Sequence, residues 1–176
     1  MQKKTYITLA FICFTYLLGL TQERFLYKKI DTTQLYLEVY SSVTNESTKQ
    51  SPALVFFFGG GWNSGTMKQF EPQAKYFIQR GITCILVDYR VKERQNSTPF
   101  ESLKDAKSAI RYIRAHAKDL RIDPSKIIAS GGSAGGHLAA ATALITDYNE
   151  TSDDLTISSI PDALVLFNPV FDNGPG

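Results

Sequence analysis

The order of structure along the chain is decided by residues 126–138, which read KIIASGGSAGGHL. The first five of them, Lys126–Ser130, are largely apolar and predict a buried strand. A glycine-rich turn follows, and the Ala-rich stretch from Ala134 to about Ile145 predicts a helix. A strand that turns sharply into a helix is typical of proteins that alternate strands and helices around one sheet.

Ser133 stands at the centre of this turn, in a G-x-S-x-G pattern that runs from Gly131 to Gly135. Glycines flank the serine because the turn is too tight for larger side chains, and the turn lifts the Ser133 hydroxyl off the sheet edge. The N–H of Ala134 then lies at a helix N-terminus, where negative charge is stabilised. This context favours a nucleophilic serine, and the alternative is a turn that binds a phosphate group or nothing.

A second glycine cluster follows an earlier apolar run. Ala53–Phe58 is continuously apolar, as expected for a parallel strand covered on both faces, and Gly59, Gly60, Gly61 and Trp62 come next. Consecutive glycines let backbone N–H groups converge on a developing oxyanion. Because both clusters follow parallel strands, we expect them at the same edge of the sheet. A plain turn after a strand is the alternative.

The remaining segments alternate between strand patterns and helix patterns. The strand patterns predict two strands between Arg24 and Tyr40, a buried strand over Ile82–Val87 and a fourth buried strand over Ala163–Phe167. The helix patterns predict a helix over Gln69–Arg80 and a long helix from Pro99 with apolar positions as far as Leu120. A turn is predicted at Asp123-Pro124. Polar loops are expected over Ser41–Ser51 and Thr146–Ser159. This order predicts an α/β fold with a mostly parallel, doubly wound sheet.

The composition is that of a globular protein and excludes several classes. Apolar residues make up 43% of the chain and charged residues 20%, which argues against disorder. With 19 basic and 17 acidic residues, the chain has no electrostatic reason to bind nucleic acid or anionic membranes. Two cysteines and two histidines exclude a disulfide scaffold and a multi-histidine metal site, and we expect no metal and no cofactor. Cys84, inside an apolar run, is expected to be a buried, inert thiol.

The first 21 residues predict a secretory signal peptide. Lys3 and Lys4 precede the uncharged run Ile7–Leu20, whose length suits the apolar region of a signal and is short for a membrane span. Gly19 and Thr21 are small residues at the −3 and −1 positions of a cut after residue 21. We therefore expect a secreted or periplasmic protein with no stable membrane span, whose domain occupies residues 22–176. An uncleaved anchor is the alternative.

Two motifs together resemble a known family. FGGGW at residues 58–62 and GGSAGGHLA at residues 131–139 are similar to the hormone-sensitive-lipase-like branch of the α/β-hydrolase fold. Within it they most resemble the bacterial feruloyl and acetyl-xylan esterase group. The resemblance runs from about residue 33 to residue 176 and includes Asp88-Tyr89-Arg90, Asp105-Ala106 and Ile122-Asp123-Pro124.

The resemblance implies Ser133 as the nucleophile, with the N–H groups of Gly60, Gly61 and Ala134 as oxyanion-hole donors. It implies a carboxylic ester as substrate, on a small molecule or on a polysaccharide. The family motif begins with a histidine that is usually read as a loop brace, and this chain has Phe58 at that position. We therefore expect Phe58 to change how the glycine loop is supported more than it changes the reaction.

The acid and the catalytic histidine of an α/β hydrolase come after the serine. Only His137 follows Ser133, on the helix that begins at the serine, so a structural role is expected for it. His116 precedes the serine and is expected at the surface. Asp172, after the fourth strand, is a candidate acid. We therefore expect the N-terminal part of a hydrolase, incomplete at the C-terminus and inactive alone, and the alternative is a non-enzymatic, ligand-binding pseudo-hydrolase.

Overall fold

The computed structural model describes residues 20–42 and 50–172, which form one mixed sheet with helices on both faces. Its strands are β1 Leu20–Ile30, β2 Thr33–Ser42, β3 Ser51–Phe57, β4 Thr83–Val87, β5 Ile122–Gly132 and β6 Ala163–Phe167. They are arranged in the order β1-β2-β4-β3-β5-β6. β4, β3, β5 and β6 run parallel, whereas β2 pairs antiparallel with both β1 and β4. The α/β fold with a mostly parallel sheet is therefore confirmed.

Helices connect the parallel strands. A 3₁₀ turn, Met67–Phe70, leads into α1, Glu71–Ile78; the others are α2 Lys92–Gln95, α3 Pro99–Ala115 and α4 Ala134–Leu144. Helix α3 starts cleanly because Pro99 occupies its first turn, and Thr98 and Glu101 form a reciprocal capping box. The helix order agrees with the sequence prediction, apart from the two short elements Met67–Phe70 and α2.

Strand β3 shows why its sequence is apolar without alternation. Successive side chains of a strand point to opposite faces of the sheet. Leu54 and Phe56 pack into the cluster that includes α1, and Val55 and Phe57 pack into the cluster that includes α3 and α4. All four are buried because both faces are covered.

One of the predicted buried strands is exposed. β6 forms where Ala163–Phe167 was expected, but Leu164, Val165 and Phe167 keep 36%, 41% and 41% of their surface exposed. The reason is its position: β6 pairs with β5 on one side, and no strand of the described residues lies on its other side. An apolar run indicates that burial of its side chains is favourable. It does not indicate whether another segment of the described residues packs against them.

Two boundaries also differ from the sequence prediction. Helix α3 ends at Ala115, although the apolar pattern continues to Leu120, because the chain then turns and reaches a left-handed conformation at Arg121. The turn predicted at Asp123-Pro124 lies inside β5 as a bulge. Residues 123–126 of β5 stand opposite a single residue of β3, and the Asp123 carboxylate accepts the N–H of Ser125 at 3.0 Å.

The predicted signal peptide lies almost wholly outside the described residues. Residues 1–19 are not described, and β1 begins at Leu20, two residues before the predicted mature terminus. The backbone of Leu20 and Thr21 pairs with that of Ser42 and Ser41. The cleavage site stays a prediction. Most of the predicted loop over Ser41–Ser51 is likewise outside, at residues 43–49.

Candidate active site

Ser133 occupies the junction between β5 and α4. Its backbone has φ +52° and ψ −118°, a conformation that residues with a side chain rarely adopt. The Ser133 side chain is exposed, whereas Ala134 beside it is buried. The strand-to-helix elbow expected at Ser133 is therefore present, and it presents the hydroxyl at the surface of the sheet edge.

Small residues allow the elbow to pack against the end of β3. A Cβ atom on Gly135 would come within 2.1 Å of the carbonyl oxygen of Phe57 and 2.4 Å of that of Phe58. A Cβ on Gly131 would lie 2.5 Å from the same oxygen of Phe57. Only glycine fits at such approaches between backbones. The first turn of α4 therefore rests directly on the strand that carries the glycine loop.

The two glycine clusters meet at Ser133, as the sequence predicted. A Cβ atom built on Gly59 would lie 3.4 Å from the Cβ of Ser133 and 2.9 Å from the carbonyl oxygen of Gly132. The loop that carries Gly60 and Gly61 thus passes so close to the elbow that a single added methyl group would fill the gap. Such proximity is what an oxyanion hole requires of its second donor.

Hydrogen bonds within the loop orient its peptide groups. The carbonyl oxygen of Gly60 accepts the N–H of Asn63 at 3.1 Å and that of Ser64 at 3.2 Å. In a trans peptide the N–H points opposite to the C=O, so the N–H of Gly61 points out of this turn. Gly60 and Gly61 have φ of +137° and +62°, which a residue with a side chain would resist. The hydrogen bonds of the described residues use neither N–H.

Phe58, where the resembling family has histidine, supports the loop by stacking. Its ring lies parallel to that of Tyr89 with 4.0 Å between centroids, and the Tyr89 hydroxyl donates to the carbonyl oxygen of Phe58 at 2.5 Å. Burial raises the pKa of Tyr89 above its ordinary value, so the phenol remains a donor. The N–H of Gly59 donates to Oε1 of Gln69 at 2.6 Å. Stacking and two hydrogen bonds therefore support the loop in this chain, and Gln69 is a contributor that the sequence did not indicate.

Aromatic rings form one side of the elbow. Phe70 stacks on Phe56 at 4.9 Å between centroids and lies 6.0 Å from Phe167 of β6. A Cβ on Gly132 would come within 3.3 Å of Phe70. These rings come from three separate segments, so periodicity within any one segment could not have placed them together. Phe56 and Phe70 are buried, and Phe167, which is 41% exposed, brings an apolar ring to the surface on this side.

His137 has the structural role predicted for it. Its Nδ1 lies 2.7 Å from the carbonyl oxygen of Val170, to which it donates, and the Trp62 ring meets its ring edge-on at 5.3 Å. The N–H of Val170 in turn donates to the carbonyl oxygen of Ser133 at 3.3 Å. His137 thus ties helix α4 to the segment that follows β6.

The other residues singled out in the sequence lie away from the elbow or at the end of the described chain. His116 lies at the surface as expected, half-buried because its ring stacks on Tyr112 at the C-terminal end of α3. Cys84 is buried in β4, and burial raises the pKa of its thiol to about 12, in agreement with an inert role. Asp172 is exposed in the segment after β6, and its role as catalytic acid stays a prediction.

Two further properties concern the described residues as a set. None of their helices is long and apolar enough to cross a membrane. No three of their histidine, cysteine, aspartate and glutamate side chains are grouped as metal ligands would be.

A mostly parallel sheet, a serine on a strained strand-to-helix turn and a glycine-rich loop beside it define the α/β-hydrolase fold. Solved structures agree: esterase 2 of Thermogutta terrifontis, in its apo form, matches with a TM-score of 0.82 and 49% identity, over 85% of this chain and 56% of that one. The same esterase has been solved phosphorylated by paraoxon, with propionate bound and with butyrate bound.

The chain belongs to the BD-FAE family, whose model matches residues 37–166. Two Mycobacterium tuberculosis proteins are also similar. The probable carboxylic ester hydrolase LipM is 32% identical over 110 residues, which are 62% of this chain and 25% of LipM. The carboxylesterase NlhH is 29% identical over 139 residues, which are 69% of this chain and 43% of NlhH. The chain therefore spans less than half the length of these two relatives.

Proposed function

We propose that this chain carries the nucleophile and the oxyanion hole of a secreted serine esterase. The observation that supports this most directly is the close approach of the two glycine clusters, with the position of a Gly59 Cβ 3.4 Å from the Cβ of an exposed Ser133. The Ser133 hydroxyl attacks the carbonyl carbon of an ester. The N–H groups of Gly60, Gly61 and Ala134 stabilise the negative charge on the tetrahedral oxygen.

The reaction proceeds through an acyl-enzyme. Oγ of Ser133 bonds to the carbonyl carbon, the hydroxyl proton passes to a base and then to the departing alcohol, and water later releases the acid. The proposed base is a histidine that these 176 residues do not include, because His137 is bonded to Val170 and His116 is stacked on Tyr112. The acid that orients this base is Asp172 or a carboxylate outside the described residues.

The substrate proposed here is an ester of a short, apolar acyl group. The exposed ring of Phe167, which lies 6.0 Å from Phe70, suits such a group, and the similar Thermogutta esterase has been solved with propionate and with butyrate bound. The alcohol is that of a small molecule or of a polysaccharide. The latter, like secretion through residues 1–21, rests on the sequence analysis alone.

Labelling of Ser133 tests this proposal. The protein at its natural full length should bind a fluorophosphonate probe covalently and hydrolyse p-nitrophenyl acetate and butyrate. Ser133→Ala should lose both properties, because the hydroxyl that forms the acyl-enzyme is absent. Ser125→Ala, which removes an exposed hydroxyl from the bulge of β5, should keep both. Mass spectrometry of the labelled peptide identifies the modified residue.

Absence of labelling in the full-length protein would favour the pseudo-hydrolase instead. The 176-residue chain alone should be a poor esterase, since removal of a triad member leaves only about 10³–10⁴-fold catalysis over water. If this chain turned over p-nitrophenyl acetate rapidly and Ser133→Ala abolished that turnover, the base would have to be His137 or His116.

A further inference from the structure

We infer that Gln69 and Tyr89 are positioning residues that together fix the peptide plane from which the oxyanion-hole loop is aimed. This inference rests on the proposed function, because it concerns the donors Gly60 and Gly61. It assigns a role to Gln69, a residue in the 3₁₀ turn ahead of α1 that no motif includes.

The two residues hold opposite ends of one peptide group. The carbonyl of Phe58 and the N–H of Gly59 belong to the same planar unit. The Tyr89 hydroxyl donates to that carbonyl at 2.5 Å, and Oε1 of Gln69 accepts from that N–H at 2.6 Å. With both polar atoms bonded, rotation of the plane breaks at least one hydrogen bond. The plane directly precedes the peptide that carries the N–H of Gly60, and it therefore sets the direction in which the loop leaves β3.

External support complements the loop's own hydrogen bonds, which hold the peptide between Gly60 and Gly61 and leave the peptide between Phe58 and Gly59 to its neighbours. Glycine has the widest choice of φ and ψ, and Gly60 and Gly61 have no side chains that could pack. A Cβ on Gly61 would meet no atom within 4 Å, so the loop is open on that side. Gln69 and Tyr89 therefore fix the start of the loop, and the bonds from Asn63 and Ser64 fix its next turn, so that together they orient the N–H donors. Donors oriented in advance are what make an oxyanion hole effective.

The hydrogen bond between Gln69 and Gly59 also limits which N–H groups can donate to an oxyanion. Because Gln69 accepts the N–H of Gly59, that N–H is already used, although Gly59 is the loop residue beside Ser133. The loop donors that remain are Gly60 and Gly61. Gln69 itself is exposed, so its side chain is not part of the core. Its loss is therefore expected to affect the loop and not the stability of the fold.

The first experiment observes the loop without relying on activity. The full-length protein labelled with ¹⁵N-glycine is compared with Gln69→Met, which keeps the side-chain length and removes the amide oxygen. We expect amide exchange at Gly59 to become at least tenfold faster, and the resonances of Gly60 and Gly61 to shift. Gln22→Met, which removes a glutamine bonded to Glu38 on the far side of the sheet, should leave all three unchanged. Unchanged Gly59, Gly60 and Gly61 signals in Gln69→Met would overturn the inference.

The second experiment connects the loop to catalysis. In Gln69→Met we expect kcat for p-nitrophenyl butyrate to fall at least tenfold, towards the 10²–10³-fold that loss of one donor costs, with KM nearly unchanged. Affinity for a trifluoromethyl ketone, which forms a tetrahedral oxyanion on the serine, should fall by a similar factor. A higher KM at unchanged kcat would show that Gln69 binds substrate and would overturn the positioning role.

Tyr89→Phe supplies the second half of the test, since it removes the hydroxyl and keeps the ring that stacks on Phe58. If both residues hold one peptide plane, the fold-loss of kcat in the Gln69→Met, Tyr89→Phe double variant should be smaller than the product of the two single fold-losses. A loss equal to that product would overturn the shared role. Failure of the proposed function is recognisable separately, because the wild-type protein would then lack turnover while the glycine signals still responded to Gln69→Met.

Discussion

At the scale of the single residue, Ser133 combines an unfavourable backbone conformation with an exposed side chain. Its φ of +52° is held by three hydrogen bonds: its N–H donates to Phe167, and its carbonyl accepts from His137 and Val170. A residue with a side chain in such a conformation costs about 1–3 kcal/mol. The surrounding strands and α4 therefore impose a conformation that the serine alone would not adopt.

Ser133→Gly should be more stable than Ser133→Ala by about 1 kcal/mol. Glycine removes the strain of the positive φ, and its greater entropy in the unfolded chain offsets part of that gain. Urea unfolding of the two variants measures the difference, and neither should label with a fluorophosphonate. At Ser125, where φ is not positive, the order should reverse and alanine should be the more stable. Equal or lower stability of Ser133→Gly would contradict backbone strain at the elbow.

At the scale of elements, a buried ionic cluster joins β1, α3 and the segment that follows α4. Asp105 on α3 is fully buried and accepts three hydrogen bonds from Arg90, two from the guanidinium at 2.7 and 2.8 Å and one from the backbone N–H at 3.0 Å. It also forms an ion pair with Lys28 at 2.8 Å. Glu150 contacts Lys28 at 3.0 Å and Arg90 at 3.3 Å. Arg90 and Asp105, two of the residues that carry the family resemblance, therefore act in the scaffold. The cluster holds the loop after α4 against α3.

Glu150→Gln should lower the free energy of unfolding by about 1–2 kcal/mol at neutral pH, as expected for loss of a charge-assisted hydrogen bond. Burial alone would raise the pKa of Glu150, but the hydrogen bond and charge of Lys28 and the charge of Arg90 outweigh it and lower the pKa below 4.5. The stabilisation is therefore complete above pH 4.5 and is lost as the pH falls further.

Urea unfolding at several pH values checks this expectation. The difference between wild type and Glu150→Gln should shrink below pH 4.5, where Glu150 becomes protonated. Glu71→Gln is the matched control, because Glu71 forms an exposed ion pair with Lys75, and its effect should be small. A difference that stayed constant down to pH 2 would contradict the ionic role of Glu150.

At the scale of the whole molecule, the two edges of the sheet differ in polarity. β1 forms one edge and carries the exposed charged side chains of Glu23 and Arg24. At the other end β6 exposes Leu164, Val165 and Phe167. Exposed apolar edges favour pairing with another chain.

The 176-residue chain should therefore self-associate as its concentration rises, and Val165→Lys should reduce the association, because a lysine on an edge strand opposes pairing. Sedimentation velocity over a range of concentrations measures the effect. Phe100→Lys is the control, since Phe100 is 52% exposed on α3 and away from the edge. Equal behaviour of Val165→Lys and the wild-type chain would show that β6 is not the contact.

Much of the site could be read from sequence because its residues are local. The elbow needs only the residues from Gly131 to Gly135 and the strand and helix on either side. The pairing of the two glycine clusters followed from parallel strands that end at one edge. Gln69 could not be found this way, because its partner, Gly59, lies ten residues away across an irregular loop. No periodicity describes such a loop.

The sequence by itself determined the α/β order, the serine at the elbow and the glycine loop, because local pattern and turn chemistry specify them. Only the tertiary structure decided that β6 is exposed, that α3 stops at Ala115, that His137 binds Val170 and that Gln69 and Tyr89 hold one peptide plane. Each of these depends on which distant segments become neighbours. Burial and long-range hydrogen bonds depend on contacts between segments that are distant in sequence. The pattern of residues within one segment therefore does not predict them.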